Sequence, residues 1–153
     1  MKNRIYIDTS VVGGYFDEEF SEVTQALFKR LENNEIIFVV SDLLELELSR
    51  APKNVRELLY KFTPDKFERV YLTEESVKLA DAYISEKVVG KISLEDCRHI
   101  AMATINRVDV LASWNFKHIV NLDRIKGYNS VNIKLGYPII EIRSPKDLLR
   151  YED

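Results

Sequence analysis

The feature of this sequence that most narrows its fold is Ile36-Ile37-Phe38-Val39-Val40, five apolar residues in a row between Asn33-Asn34 and Ser41-Asp42. A strand with one wet face alternates apolar and polar. An unbroken run of this kind needs cover on both faces, as in a parallel sheet flanked by helices. Two other stretches repeat the design: Ile5-Tyr6-Ile7 stops at Asp8-Thr9-Ser10, and Val108-Asp109-Val110-Leu111-Ala112 stops at Ser113-Trp114-Asn115. Further strands are predicted at 67–72 and 138–142.

Helical patterns separate these runs. From Ser21, the residues Val23, Ala26, Leu27 and Leu31 keep helical spacing until Asn33-Asn34. Ser41 or Asp42 caps a helix running to about Arg50, and Pro52 suits the first turn of the next. Thr73 opens a helix that Gly90 ends, Ser93 caps another through Asn106, and Ser144-Pro145 starts the last. Gly13-Gly14 reads as a break. Strands alternating with such helices imply right-handed crossovers. The expected fold is therefore α/β, a three-layer α/β/α arrangement with a central, mostly parallel sheet, in a single domain over residues 1–153. Ligands of such sheets bind beyond the carboxyl ends of the strands.

Several classes are excluded before any motif is weighed. One cysteine, Cys97, rules out a disulfide framework and suits a reducing compartment. Cys97, His99 and His118 are the whole Cys/His supply, too few for a structural zinc site. No run approaches 18 apolar residues, and too few residues precede Asp8 for the apolar core of a signal peptide, so a cytoplasmic protein away from membranes is expected. Net charge is −3. Residues 1–47 hold 4 Lys/Arg against 10 Asp/Glu, a balance of −6, which leaves +3 on the remainder. Charge alone reads as solvated surface, although an acidic pocket beside a mildly basic face would give the same balance. Gly13-Gly14 lacks the Gly-Lys-Ser/Thr ending of a phosphate loop.

The chemistry-bearing residues fall at predicted strand ends and helix starts. Asp8 ends the first strand, Glu45 and Glu47 lie in the helix after the second, Asp96 opens the helix before the fourth, and Ser113 and Asn115 end the fourth. In a doubly wound sheet these positions share one rim. Carboxylates gathered there repel one another and raise each other's pKa values unless a cation intervenes. Mg²⁺ or Mn²⁺ prefers such oxygen ligands, and an ion so held can orient a phosphodiester and activate water.

These residues resemble a known family. Ile5-Tyr6-Ile7-Asp8-Thr9-Ser10 is similar to the opening of a PIN domain, a strand followed by Asp-Thr/Ser-Ser/Asn. Ser41-Asp42-Leu43-Leu44-Glu45-Leu46-Glu47-Leu48 resembles its second motif, with Glu47 in the acidic role by its distance from Ser41 and Glu45 as reserve. Asp96-Cys97-Arg98-His99-Ile100-Ala101-Met102-Ala103 resembles the third, an Asp heading an Ala-rich helix. Ser113-Trp114-Asn115-Phe116 falls where the family writes Thr/Ser-x-Asp. The match runs from the first strand to about Asn121, and among PIN domains the small form resembles VapC-like toxin ribonucleases of type II toxin–antitoxin pairs.

The resemblance implies a Mg²⁺- or Mn²⁺-dependent endoribonuclease acting on RNA, a homodimer, and a small antitoxin partner. It implies Asp8, Glu47 and Asp96 as metal ligands, Asn115 as the fourth catalytic position, and Thr9, Ser10, Ser113 and Glu45 in support. Asn115 replaces an expected Asp, so ligand charge falls from −4 to −3. Glu95, Asp42 and Asp123 are the acids placed to restore it.

Other roles fit these residues too. Asp8 and Asp96 are also good helix caps. His99 fits a hydrogen-bonded interior position, Cys97 core filler, and Trp114 packing at the end of the sheet. Lys117, Arg124, Lys126 and Lys134 either guide phosphates or form an ordinary solvated face. A PIN fold that binds RNA or protein without cutting is one alternative function. An aspartyl-phosphate phosphatase is another, weakened because Ser10 stands where its acid/base Asp belongs.

Overall fold

The computed structural model describes residues 2–149 (of Ile92, the backbone), so positions 1 and 150–153 of the expected domain lie outside the described residues. Five strands, β1 (Asn3–Ile7), β2 (Ile36–Ser41), β3 (Phe67–Val70), β4 (Val110–Ala112) and β5 (Ile142–Arg143), form one sheet in the order β3-β2-β1-β4-β5. Every pairing is parallel, so the expectation of a mostly parallel sheet is met in full.

Helices α1 (Thr9–Gly14), α2 (Ser21–Glu32), α3 (Asp42–Leu48), α4 (Lys53–Glu57) and α8 (Pro145–Leu149) pack against one face. Helices α5 (Glu74–Ser85), α6 (Leu94–Ile105) and α7 (Leu122–Lys134) cover the other. Strand periodicity divides the interior between them. Tyr6, Val39 and Leu111 point toward α5–α7, whereas Ile5, Ile7, Phe38, Val40, Val110 and Ala112 point toward α1–α4. Burying each large apolar side chain contributes about 1.5–3 kcal/mol, which is why a run apolar on both faces fits only a covered strand. No helix of the described residues is long and apolar enough to cross a membrane.

Several elements differ from the sequence-based expectation, among them the helix opened by Thr73, which ends at Ser85 rather than at Gly90, and the fourth strand, which begins at Val110 rather than Val108. The third strand stops at Val70, because Leu72 turns its N–H to Asp42 Oδ1 (2.9 Å). Helix α3 ends at Leu48 rather than near Arg50. The last strand is only Ile142–Arg143: Pro138 has no N–H to give, and Asn129 on α7 takes both the N–H of Ile140 (2.8 Å) and its carbonyl (3.1 Å). Gly13-Gly14 does not break the chain but completes α1.

Helix α7 was not foreseen. Its sequence, Leu122-Asp123-Arg124-Ile125-Lys126-Gly127-Tyr128-Asn129-Ser130-Val131-Asn132-Ile133-Lys134, is rich in poor helix formers. Tertiary contacts hold it. Asn121 caps Arg124 N (3.2 Å), Tyr83 donates to Asn132 Oδ1 (2.6 Å), and Tyr128 donates to the His118 carbonyl (2.7 Å).

Candidate active site

Register alone brings the strand ends together. Ile7 pairs with Ala112, so Asp8 emerges beside Ser113, and Tyr6 pairs with Val39, which sets Asp8 level with Ser41. β1 is the central strand, so Asp8 leaves the sheet with neighbours on both sides and is only 4% exposed.

Asp8 also caps α1, its Oδ1 accepting from Val11 N (3.3 Å). Ser10 Oγ donates to the same oxygen (2.6 Å), and Ser113 Oγ donates to Oδ2 (2.6 Å). The two hydroxyls belong to one small lattice. Trp114 N donates to Ser10 Oγ (2.8 Å), and Asn115 N donates to Ser113 Oγ (2.9 Å). Burial pushes the Asp8 carboxyl above its ordinary range, against the pull of nearby His99 and of these hydroxyls.

Glu47 comes from α3, whose start is fixed by Ser41 Oγ accepting from Leu44 N (3.0 Å). Its Oε1 accepts from Thr9 Oγ1 and contacts His99 Nε2 at 2.7 Å. Burial favours the protonated Glu47, but the bonds from His99 and Thr9 and a further one with Glu95 outweigh it, and its pKa lies below the usual value. Asp96 sits in the first turn of α6, where Asn115 Nδ2 donates to its Oδ2 (3.2 Å). Its pKa is raised, first by burial and next by the charge of Asp8. Asn115 Oδ1 accepts from Lys117 N (3.2 Å) and His118 N (3.0 Å), which fixes the amide's orientation.

The other candidates separate from this rim. Glu45 is exposed and pairs with Arg69 (2.5 Å) on the wall of a surface groove of about 920 Å³. Asp42 is tied to the N–H groups of Leu43 and Leu72, and Asp123 lies in the first turn of α7. Trp114 is buried, stacked on Phe20 (4.2 Å between centroids) with its indole N–H on Thr24 Oγ1 (2.9 Å), so it packs the end of the sheet. Cys97 is buried in the core. Arg124 binds the Val88 carbonyl and Lys134 pairs with Glu86 (3.0 Å), so both are engaged locally.

Two residues matter more here than their sequence signals suggest. His99 is 2% exposed and touches Glu47 through one ring nitrogen and Tyr6 Oη through the other (2.6 Å). Tyr6 reads in sequence as an ordinary strand residue. The one available signal is His99 lying three residues beyond Asp96, on a neighbouring face of the helix.

The donor chemistry fits a hard cation in part. Asp8, Asp96 and Glu47 offer only oxygens, and Asp96, raised first by burial, is raised further by the charge of Asp8, a repulsion that a cation would relieve. Among the described residues no three His, Cys, Asp or Glu side chains close into a metal cage. An ion held by one or two carboxylates that keeps several waters, as Mg²⁺ does, needs no such cage.

No protein-family model and no curated protein matches the sequence. Solved structures do match. FitAcB from Neisseria gonorrhoeae is 15% identical, with a TM-score of 0.58 over 93% of this chain and 98% of that one. VapC20 of Mycobacterium tuberculosis, a sarcin-ricin-loop-cleaving toxin, is 11% identical with a TM-score of 0.57, covering 74% of this chain and 91% of its own. VapBC2 from Rickettsia felis, bound to a DNA fragment from its promoter, is 12% identical with a TM-score of 0.54, covering 92% and 98%. At these identities the likeness is one of fold. The chain has the PIN-like three-layer α/β/α fold.

Proposed function

We propose that this chain is a single-domain, Mg²⁺- or Mn²⁺-dependent endoribonuclease of PIN-like fold and the toxin of a toxin–antitoxin pair. The observation that carries the reading is the hydrogen-bonded link between Asp8 and Asp96 at the carboxyl edge of the sheet: Ser113 Oγ donates to Asp8 (2.6 Å) and accepts from Asn115 N (2.9 Å), and the Asn115 amide donates to Asp96 (3.2 Å). Asp8, Asp96 and Glu47 would hold the ion. Bound there, it would supply positive charge to a phosphodiester and lower the pKa of an attacking water.

The protein's own part is orientation. Ser10 and Ser113 fix both oxygens of Asp8, Thr9 fixes Glu47, and Asn115 fixes Asp96. Glu45, engaged with Arg69, supports α3 rather than the ion. A small antitoxin is the expected partner, in line with the VapBC2 and FitAcB complexes among the fold neighbours, and a homodimer is the assembly we propose.

One observation favours a second reading, an RNA- or protein-binding module without cleavage. Asn115 brings an amide rather than a charge to the rim and spends its N–H on Asp96. Incubation of the purified protein with end-labelled RNA and Mn²⁺, beside Asp8→Asn, tests both. Cleavage that the variant lacks is the expected result. RNA retained but uncut by the wild type would replace the nuclease with the binding module, and phosphate release from a small ester with an RNA substrate left intact would favour a phosphatase.

A further inference from the structure

Glu47 is a flexible side chain on a helix of only seven residues, and a free Glu keeps several rotamers whose loss on ordering opposes any single aim. Its neighbour Glu45, two residues back on the same helix, swings out to a surface arginine. Glu47 does not. Behind it runs a buried polar line that crosses three elements: His99 Nε2 to Glu47 Oε1 (2.7 Å), His99 Nδ1 to Tyr6 Oη (2.6 Å), and Tyr6 Oη to Ser41 Oγ (2.9 Å). Ser41 Oγ in turn accepts from Leu44 N (3.0 Å), which roots the line in the first turn of α3 itself.

We propose that Tyr6 and His99 are positioning residues, a buried hydrogen-bonded strut that aims the Glu47 carboxylate into the rim. The inference rests on the proposed role of Glu47 as a ligand. A carboxylate only accepts hydrogen bonds, so Nε2 carries the hydrogen in the His99–Glu47 contact whichever way the Tyr6 hydroxyl turns. Nδ1 is held from behind by Tyr6, which fixes the ring plane, and the two rings meet edge to face at 5.6 Å. Thr9 Oγ1 donates to the same Oε1 from α1, so two donors on different elements fix one oxygen.

Core packing alone does not call for this arrangement. Tyr6 sits among Val39, Leu111 and Ile100, where Phe would fill the same space without a buried hydroxyl. The line of polar atoms leads from there to one exit, Glu47.

Variants at position 99 separate aiming from packing. The amide nitrogen of Gln falls near the place of Nε2, and that of Asn near Nδ1. His99→Gln therefore keeps a donor for Glu47, while His99→Asn keeps only a contact with Tyr6. Mn²⁺ affinity is measured by calorimetry, RNA cleavage as kcat and KM separately, and melting temperature alongside, with Glu47→Gln as reference. Loss of an outer partner of a metal ligand typically costs about 10–100-fold in affinity or activity, and that is the expected effect of His99→Asn on Mn²⁺ affinity and kcat. His99→Gln recovers most of it at a comparable melting temperature, and Tyr6→Phe shows a smaller loss of the same kind with KM unchanged.

Equal losses in the two His99 variants, or wild-type Mn²⁺ affinity in His99→Asn where Glu47→Gln is weakened, would make the strut merely structural. A Glu47→Gln that binds Mn²⁺ as well as wild type would remove Glu47 as a ligand, and the strut's purpose with it. Should the variants not fold, nitrogen-15 spectra of the wild-type protein, which has two histidines, decide the matter. A protonated Nε2 on His99 whose signal moves on Mg²⁺ addition supports the strut, and a bare Nε2 overturns it.

Discussion

Two adjacent glycines in one helix should respond to the same substitution in opposite directions. Gly13 and Gly14 close α1, and an added Cβ at Gly13 meets nothing within 4 Å. Gly13→Ala should therefore gain the helix-propensity difference, about 0.5–1 kcal/mol. At Gly14 the added carbon would sit 2.7 Å from Trp114 Cδ1 and Nε1 and 3.0 Å from Thr24 Oγ1. It strikes the indole where its N–H bonds Thr24, and the indole cannot retreat because it is stacked on Phe20.

Overpacking costs about 1–3 kcal/mol and a stranded buried donor about as much again, against the same small propensity gain. Gly14→Ala should lose about 2–4 kcal/mol, which at about 2–4 °C per kcal/mol for a chain of this size lowers the melting temperature by roughly 4–16 °C. Trp114 is the protein's single tryptophan, so its emission reports the displacement directly. The assay is thermal unfolding by circular dichroism with emission spectra of both variants at room temperature. A Gly14→Ala protein as stable as Gly13→Ala, with unshifted emission, would refute the packing argument. Trp114 N donates to Ser10 Oγ, which holds Asp8, so Gly14→Ala should also weaken Mn²⁺ binding.

Other outcomes follow from the charges at the rim. Asp8 has a raised folded-state pKa, so its folded form is favoured when protonated: relative stability is complete below the ordinary carboxylate value and is lost as pH rises through the folded value. Metal-free Asp8→Asn should accordingly melt above wild type at neutral pH, and the gap should close on acidification. A variant less stable than wild type at neutral pH would contradict this. Asn115→Asp replaces the amide that donates to Asp96 with a second negative charge, so the metal-free protein should melt lower while Mn²⁺ binds more tightly. Calorimetry showing unchanged affinity would take residue 115 out of contact with the ion.

Much of this was legible in the residues. The apolar run at 36–40 dictated a covered parallel strand, and β1 and β4 ended within a residue of the polar groups that mark the rim. What escaped was structure held by contacts distant in sequence. Helix α7 is rich in residues that propensity disfavours, and it forms because Asn129, Asn132 and Tyr128 find partners outside it. Helix α1 hid behind two glycines, of which Gly14 is small to make room for Trp114, a residue a hundred positions away. At the rim, the acids could be named from their positions, but the line from Tyr6 through His99 to Glu47 could not, since it joins residues 93 and 52 apart.

The neighbour of β1 on one side is β4, and the Ser113 hydroxyl that steadies Asp8 arrives 105 residues after it. During synthesis the first two strands and their helices can pair while Asp8 still lacks that neighbour and Asp96 has yet to be made. A ribosome making this protein would thus carry a chain whose acidic rim stays incomplete until about three-quarters of it had been made. Strand order alone therefore makes the rim one of the last parts of the molecule to be completed, since the sheet places the late strand β4 directly beside β1.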